Sequence, residues 1–332
     1  MFIIQSYSTA ILFCLITMLC WGSWANTTKL SSSSWRFELF YWDYAFGILI
    51  FSLIMAFTLG SYGTTGRPFL EDFRQAENSN LVSAFVGGII FNLANILLVS
   101  AIALAGMAVA FPVGIGIALI LGVIVNYIGN PQGNPIMLFG GVLFIALAIL
   151  INANAYKQVN KATNSFSVKG LSLAIIAGIL MGFFYRYVAA SMVSDFNIPE
   201  MGKLTPYTAL VFFALGLVIS NFLFNGLLMR FPFSGTKLSI SDYFKGSAKD
   251  HIVGILGGII WHLGMSFNII ASGKAGPAIS YGLGQGATVV AAIWGIFIWK
   301  EFANASQKTY RNLYLMLLLY VLGIFLIILA KN

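Results

Sequence analysis

The sequence predicts an all-α integral membrane protein built of ten transmembrane helices in two related halves. Only 8% of its 332 residues are Asp, Glu, Lys or Arg, 59% are hydrophobic and the mean hydropathy is +0.89. A soluble domain of this length needs more surface charge than that. Residues Gly87 to Gly116 recur at Gly257 to Gly286, 170 positions on without a gap, with 11 of 30 residues identical, including Gly87/Gly257, Gly88/Gly258, Gly106/Gly276 and Gly116/Gly286. Internal repeats of membrane helices are the usual construction of secondary transporters, with the substrate site between the halves near the bilayer midplane.

A helix needs about 20 apolar residues to cross a bilayer. The stretches that meet this requirement are roughly 7 to 29, 37 to 60, 81 to 104, 106 to 128, 136 to 153, 170 to 192, 206 to 229, 251 to 273, 276 to 298 and 312 to 330. The first lacks the basic start and small-residue cleavage site of a signal peptide, so it reads as the first helix of the mature protein. Cys14 and Cys20 share that helix on different faces and cannot bridge each other. Gly106 and Gly276 mark tight turns after the third and eighth spans. Ser31 to Ser34 form a polar connector, and the connections at 61 to 80 and 230 to 250 are too small to be domains. Residues 154 to 168, with Lys157, Lys161 and Thr163-Asn164-Ser165, divide a first five-helix half, 1 to 160, from a second, 161 to 332.

The distribution of Lys and Arg predicts orientation. The odd-numbered loops and their flanks hold twelve, among them Lys29, Arg36, Lys157, Lys237, Lys300 and Arg311. The even side holds five: Arg67, Arg74, Lys203, Lys274 and Lys331. The positive-inside rule therefore puts the odd loops in the cytoplasm and both termini outside the cytoplasmic membrane.

Polar residues at membrane depth are costly, about 2.5 to 3.5 kcal/mol for Asp, Lys or Arg at a helix centre, and so face a cavity or a partner. Trp21 and Trp24, with Thr28, fall on one stripe of the first helix, as a flat binding wall or as an interfacial aromatic belt. In the second helix, Arg36 and Asp43 lie seven residues apart on one face, with Glu38, Tyr41 and Trp42 adjoining. Asp43 is the acidic residue placed well inside a span and the first choice for a coupling proton. Glu38, nearer the surface, is the second choice or a salt-bridge partner of Arg36 or Lys29. Across the repeat Asn92 corresponds to His262, with Asn95 one turn beyond Asn92 and Trp261 preceding His262. An intramembrane His is as often a helix-packing group as a ligand-binding one. Tyr281, Gln285 and Thr288 form a polar stripe on the ninth helix. Tyr185 and Arg186 sit on the sixth, with Arg186 positioned to meet a substrate or to pair with Asp43 or Asp195. No phosphate-binding loop, zinc-protease motif or Cys/His cluster is present, which argues against an enzyme, a metal site or an ATP-driven pump.

The motifs CWGSWANTTKL, WRFELFYWDYAFG, FPVGIGIALILGVIVNY and WKEF (Trp299 to Phe302) resemble those of the ureide permease family in the drug/metabolite transporter superfamily, close to its glucose/ribose and rhamnose porters. The resemblance covers essentially the whole chain. It implies a five-plus-five inverted repeat, with helices one to four and six to nine around a central cavity and helices five and ten peripheral. It also implies proton-coupled uptake of polar, nitrogen-rich heterocycles such as allantoin or uracil, with no cofactor beyond the proton gradient, the bilayer and a small organic substrate as partners, and no nucleic acid. Plant members carry a long central loop, whereas the connector here is short. Trp21, Tyr41, Asn92, His262, Tyr281 and Gln285 supply the aromatic walls and neutral donors and acceptors that such rings require. The same groups suit a sugar or nucleoside porter of this fold. A non-transporting scaffold or receptor is the alternative of a different class.

Overall fold

A computed structural model describes residues 1–159, 167–303 and 305–331. Ten helices long and apolar enough to span a bilayer follow one another: α1 (Tyr7–Leu30), α2 (Phe37–Phe57), α3 (Asn78–Ala105), α4 (Val109–Gly129), α5 (Pro135–Val159), α6 (Val168–Ser191), α7 (Pro206–Arg230), α8 (Ala248–Ala275), α9 (Pro277–Ile298) and α10 (Gln307–Leu329). There is no sheet among the described residues. The expected spans are all present. The fifth runs six residues beyond its expected end, and its last turns bring Asn152 and Tyr156 to the wall of a cavity. The boundary expected between the halves, with Lys161 and Thr163-Asn164-Ser165, falls partly on residues 160–166, outside the described residues.

Local chemistry shapes the ends of several helices. Ser6 caps α1 by accepting from the Thr9 amide. The last turns of α1 tighten into a 3-10 helix over Trp24–Leu30, where Asn26, Thr27 and Thr28 each donate to the carbonyl three residues earlier. Such back-bonding competes with the α-helical pattern. Gly106 and Gly276 terminate α3 and α8 at φ 76° and 85°, a region that a residue with a Cβ adopts only at a cost. Pro277 then starts α9 where no amide donor is needed. α9 loosens at Gln285–Gly286 and ends in a π turn, Trp294–Ile298.

The 170-residue offset extends from sequence to packing. α3 lies against α6 and α7, while α8 lies against α1 and α2. A Cβ at Gly88 would overlap the Phe213 carbonyl of α7, and one at Gly258 would overlap the Tyr44 carbonyl of α2. The reciprocal glycines behave alike: Gly216 meets the Phe85 carbonyl and Gly47 meets the Ile255 carbonyl. Phe85 and Ile255 are 170 positions apart, and Gly47 and Gly216 are 169 apart. Each crossing thus brings backbone onto backbone, the packing mode that small residues permit in membranes. α5 and α10 pair with each other through Gly141 and Gly323.

Two clamps tie the loops together, one on each face. On the face of the even-numbered loops, the Arg67 guanidinium donates to the carbonyls of Pro199 and Glu200, and buried Asp72 accepts from the amide and hydroxyl of Thr205. On the odd-loop face, Arg36 donates to the carbonyls of Ser234 and Thr236, and buried Asp250 accepts from the amide and hydroxyl of Ser32. Cys14 and Cys20 are free and buried.

Gly88→Ala and Gly258→Ala should each lower stability by about 1 to 3 kcal/mol, the usual cost of overpacking. Gly116→Ala, which meets nothing within 4 Å, should be neutral. Thermal unfolding in detergent checks this, and equal midpoints for all three variants would show that the crossings tolerate separation.

Candidate functional site

Between the two crossings lies a cavity of about 460 Å³. Its floor is aromatic and sits at mid-helix. Trp21 of α1 and Trp261 of α8 stack with ring centroids 5.8 Å apart, and Trp261 packs on Phe91 of α3 at 4.3 Å. Phe91 and Trp261 are themselves repeat equivalents, so the contact joins corresponding points of the two halves. The Trp21 indole donates to the Trp261 carbonyl, which fixes its ring plane. Trp24 adds a further wall, its ring 4.7 Å from Tyr44.

Polar groups reach the cavity from several helices. Asn95 of α3, Asn152 of α5, and Gln285 and Thr288 of α9 all line it. Asn95 donates to the Tyr41 hydroxyl at 3.2 Å, and Thr288 donates to the Gln285 carbonyl at 3.1 Å. Gln285 sits where α9 loosens, the kind of helix interruption that membrane proteins tolerate where backbone faces a cavity.

The mouth opens at the odd-loop face, where the irregular ends of α1 and α9 meet. The Trp294 indole donates to the Ser23 hydroxyl, and the Trp299 indole donates to the Asn26 side-chain carbonyl. Lys29 and Glu301 pair at 3.4 Å, Lys29 lies 4.1 Å from the Trp299 ring centroid, and Tyr156 donates to Glu301. Among the described residues these two are the charged groups lining the cavity, and each partly neutralises the other.

Trp21, Trp24, Asn95, Trp261, Gln285 and Thr288 are therefore gathered around one space. Other residues expected at the site lie elsewhere. Tyr41 is buried behind Asn95. Asn92 is fully buried and donates to Ser220 of α7. Its equivalent His262 turns toward α2, edge-on to Phe51, and neither ring nitrogen has a partner among the described residues. Tyr281 continues the stripe of Gln285 but sits one turn toward the even-loop face, donating to the carbonyls of Ala118 and Met181. Tyr185 packs beside Tyr281 and shares a hydrogen bond with Ser280. Arg186 lies over Gly129 at the even-loop end of α4. It cannot meet Asp43, which is two turns from the odd-loop end of α2.

Asp43 and Glu38 lie off the cavity too. Glu38 pairs with Arg36, next to it in space at the start of α2. Asp43, 2% exposed, accepts from the Tyr243 hydroxyl at 2.6 Å and lies 2.9 Å from Nδ1 of His251. The alignment of Arg36 with Asp43 on one helical face is thus not a pairing, because each has a closer partner across a loop. The sequence reading also passed over Asn152, Tyr156, His251 and Glu301. Glu301 lies within the WKEF motif, and α5, expected to be peripheral, contributes Asn152 and Tyr156 to the mouth.

An aromatic-floored, polar-walled cavity at the midplane of a helical membrane bundle, open at one face, defines a transporter. The model of the ureide permease family matches residues 40–166 and 148–330, and the chain belongs to that family. Ureide permease 1 of Arabidopsis thaliana is 23% identical over 98% of this chain and 97% of its own length. The glucose uptake protein GlcU of Bacillus subtilis is 27% identical over 75% of this chain and 76% of its own. A crystal structure at 16% identity superposes over 98% of this chain and 100% of the other with a TM-score of 0.62, which shows a shared fold.

Gln285→Cys and Thr288→Cys should react with a small hydrophilic thiol reagent in the detergent-solubilised protein. Asn92→Cys and His262→Cys should react about tenfold more slowly or not at all, since thiol chemistry requires an accessible thiolate. Equal rates at all four positions would contradict the cavity as described.

Proposed function

We propose that this protein is a secondary-active transporter that carries small, neutral, nitrogen-rich heterocycles, ureides or nucleobases, through the central cavity. The observation that carries this reading is the contrast between the cavity's interior and its mouth. The interior offers flat aromatic faces and amide or hydroxyl groups, and the one pair of charges among the described residues that line it stands at the entrance, tied together. A planar ring with several amide groups stacks on Trp21 and Trp261 and exchanges hydrogen bonds with Asn95, Gln285 and Thr288. A charged solute finds no counter-charge inside. The names of its plant relatives point the same way.

Transport proceeds by alternating access in a five-plus-five inverted repeat. An odd number of helices per half turns the second half over in the membrane, so a cavity open at one face has an equivalent arrangement open at the other. With the basic loops inside, the odd-loop face is cytoplasmic, both termini are outside the cytoplasmic membrane, and the cavity described here opens inward. Protons are the coupling ion, with Asp43 as the carboxylate that carries them; Glu38 is held by Arg36. The resemblance to GlcU favours hexoses as a second reading, since aromatic and amide groups bind sugars as well.

Uptake into proteoliposomes under an imposed pH gradient, with ureides, nucleobases, nucleosides and hexoses in parallel, separates these readings. Uracil or allantoin should accumulate, and hexose accumulation in their place would transfer the assignment to sugars. Gln285→Ala should weaken binding of the accumulated solute by about 1 to 3 kcal/mol, the cost of leaving a buried polar group unpaired. Quenching of the floor tryptophans reports it, and His262→Phe should bind normally. Asp43→Asn should bind solute but lose uphill accumulation, and full accumulation by that variant would clear Asp43 of the coupling role.

A further inference from the structure

Beside the two clamps, the two faces differ at one set of equivalent places. Repeat equivalence relates Tyr243 to Phe73 and His251 to Leu81, each 170 positions apart. Asp43 corresponds to Phe212 by the 169-residue offset that relates Gly47 to Gly216. On the even-loop face this position is apolar, with Phe73 and Phe212 stacked at 5.7 Å. On the odd-loop face the same three places hold a carboxylate, a phenol and an imidazole in hydrogen-bond contact.

We propose that Asp43, Tyr243 and His251 form a proton-binding latch that fastens the α7–α8 loop to α2 at the odd-loop face, outside the solute cavity. The geometry makes it a joint between three moving parts. Asp43 belongs to α2, Tyr243 to the short loop helix Ile240–Tyr243, and His251 to the first turn of α8. Gly254 lets α8 approach the Asp43 side chain closely. The Trp35 ring stands edge-on to His251 at 5.2 Å, and Tyr243 stands edge-on to it at 4.7 Å, which limits water around the pair. The His251 side chain keeps 26% of its surface exposed, so a proton can reach the ring from that face, while Asp43 is sealed. Burial first, and then its bond to Asp43, push the Tyr243 phenol above its usual range, so it remains a donor.

The carboxylates around the pair are each held elsewhere, and Lys249 on α8 is exposed to solvent. On α8, Asp250 is held by Ser32 and Ser247; in the loop, Asp242 pairs with Lys245; on α2, Glu38 pairs with Arg36. His251 is the group left to answer Asp43. An imidazole changes charge across the physiological pH range. With the proton on, His251 and Asp43 form an ion pair in a site largely closed to water, and the loop is held. With it off, the neutral imidazole can still donate to the carboxylate, but the buried charge of Asp43 is no longer balanced and the hold weakens. This inference rests on the transport reading in one respect, that the odd-loop face opens and closes in the cycle.

A nitroxide label at Phe244→Cys, a position 77% exposed beside Tyr243, reads the latch without any solute. Cys14 and Cys20 are buried and stay unlabelled. Electron paramagnetic resonance of the purified protein should show the label becoming more mobile as the pH of the buffer is raised and the imidazole loses its proton. A label at the equivalent Arg74→Cys on the other face should not respond. His251→Phe and Asp43→Asn should each abolish the pH response. His251→Gln, which keeps a neutral donor, should hold the loop at one pH-independent level and serves if the other variants fold poorly. No response in the parent, or a response that survives His251→Gln or Asp43→Asn, would overturn the latch. Failure of ureide or nucleobase uptake would leave it untouched, since no solute enters the measurement.

Discussion

The structure depends on backbone-to-backbone contact at two glycine crossings, α3 on α7 and α8 on α2. In hydrocarbon no hydrophobic force drives helices together, so close packing has to do that work. Gly88, Gly216, Gly47 and Gly258 permit it by removing the Cβ atoms that would otherwise meet a carbonyl. Once α3 and α8 are locked against the second helix of the opposite half, their midpoints face each other, and Phe91 meets Trp261. α1, α4, α5, α6 and α9 are left to enclose the space beside that contact. The cavity is a consequence of how the crossings are placed.

The chemistry of that cavity follows from what a bilayer allows. Charge is expensive at mid-membrane, and here it is confined to the mouth, where Lys29 and Glu301 share it with Tyr156 and Trp299. Below the mouth, recognition falls to ring faces and neutral hydrogen-bonding groups. Toward the even-loop face the cavity is backed by Tyr185 and Tyr281, whose hydroxyls are spent on carbonyls and on Ser280.

The fold was legible because its signals are periodic or repeated: ten apolar stretches, a 170-residue register and glycines at helix ends. The aromatic floor was legible only in part: Trp21 read equally well as a binding wall or as an interfacial belt, and it is its stacking on Trp261 that sets it at the cavity. His262 and Asn92 were harder to place. A helical residue's position along the membrane can be read from sequence, but the way its side chain faces depends on which neighbour fills the groove. His262 meets Phe51 where Asn92 meets Ser220. Arg36 and Asp43 illustrate the same limit, because spacing along one helix cannot reveal partners supplied by a loop some 200 residues away. Tyr156 was hidden because the fifth helix looked shorter than it is, and Asn152 because that helix was expected to be peripheral.

If one cavity is to serve both faces, the two halves must rock about the glycine crossings. Paired spin labels measure this directly, one pair at Ser33→Cys and Lys300→Cys across the odd-loop mouth, the other at Met201→Cys and Asn130→Cys across the even-loop face. With whichever solute of the uptake panel accumulates, the first distance should shorten as the second lengthens. Two distances that stay fixed, or that change in the same direction, would contradict the account.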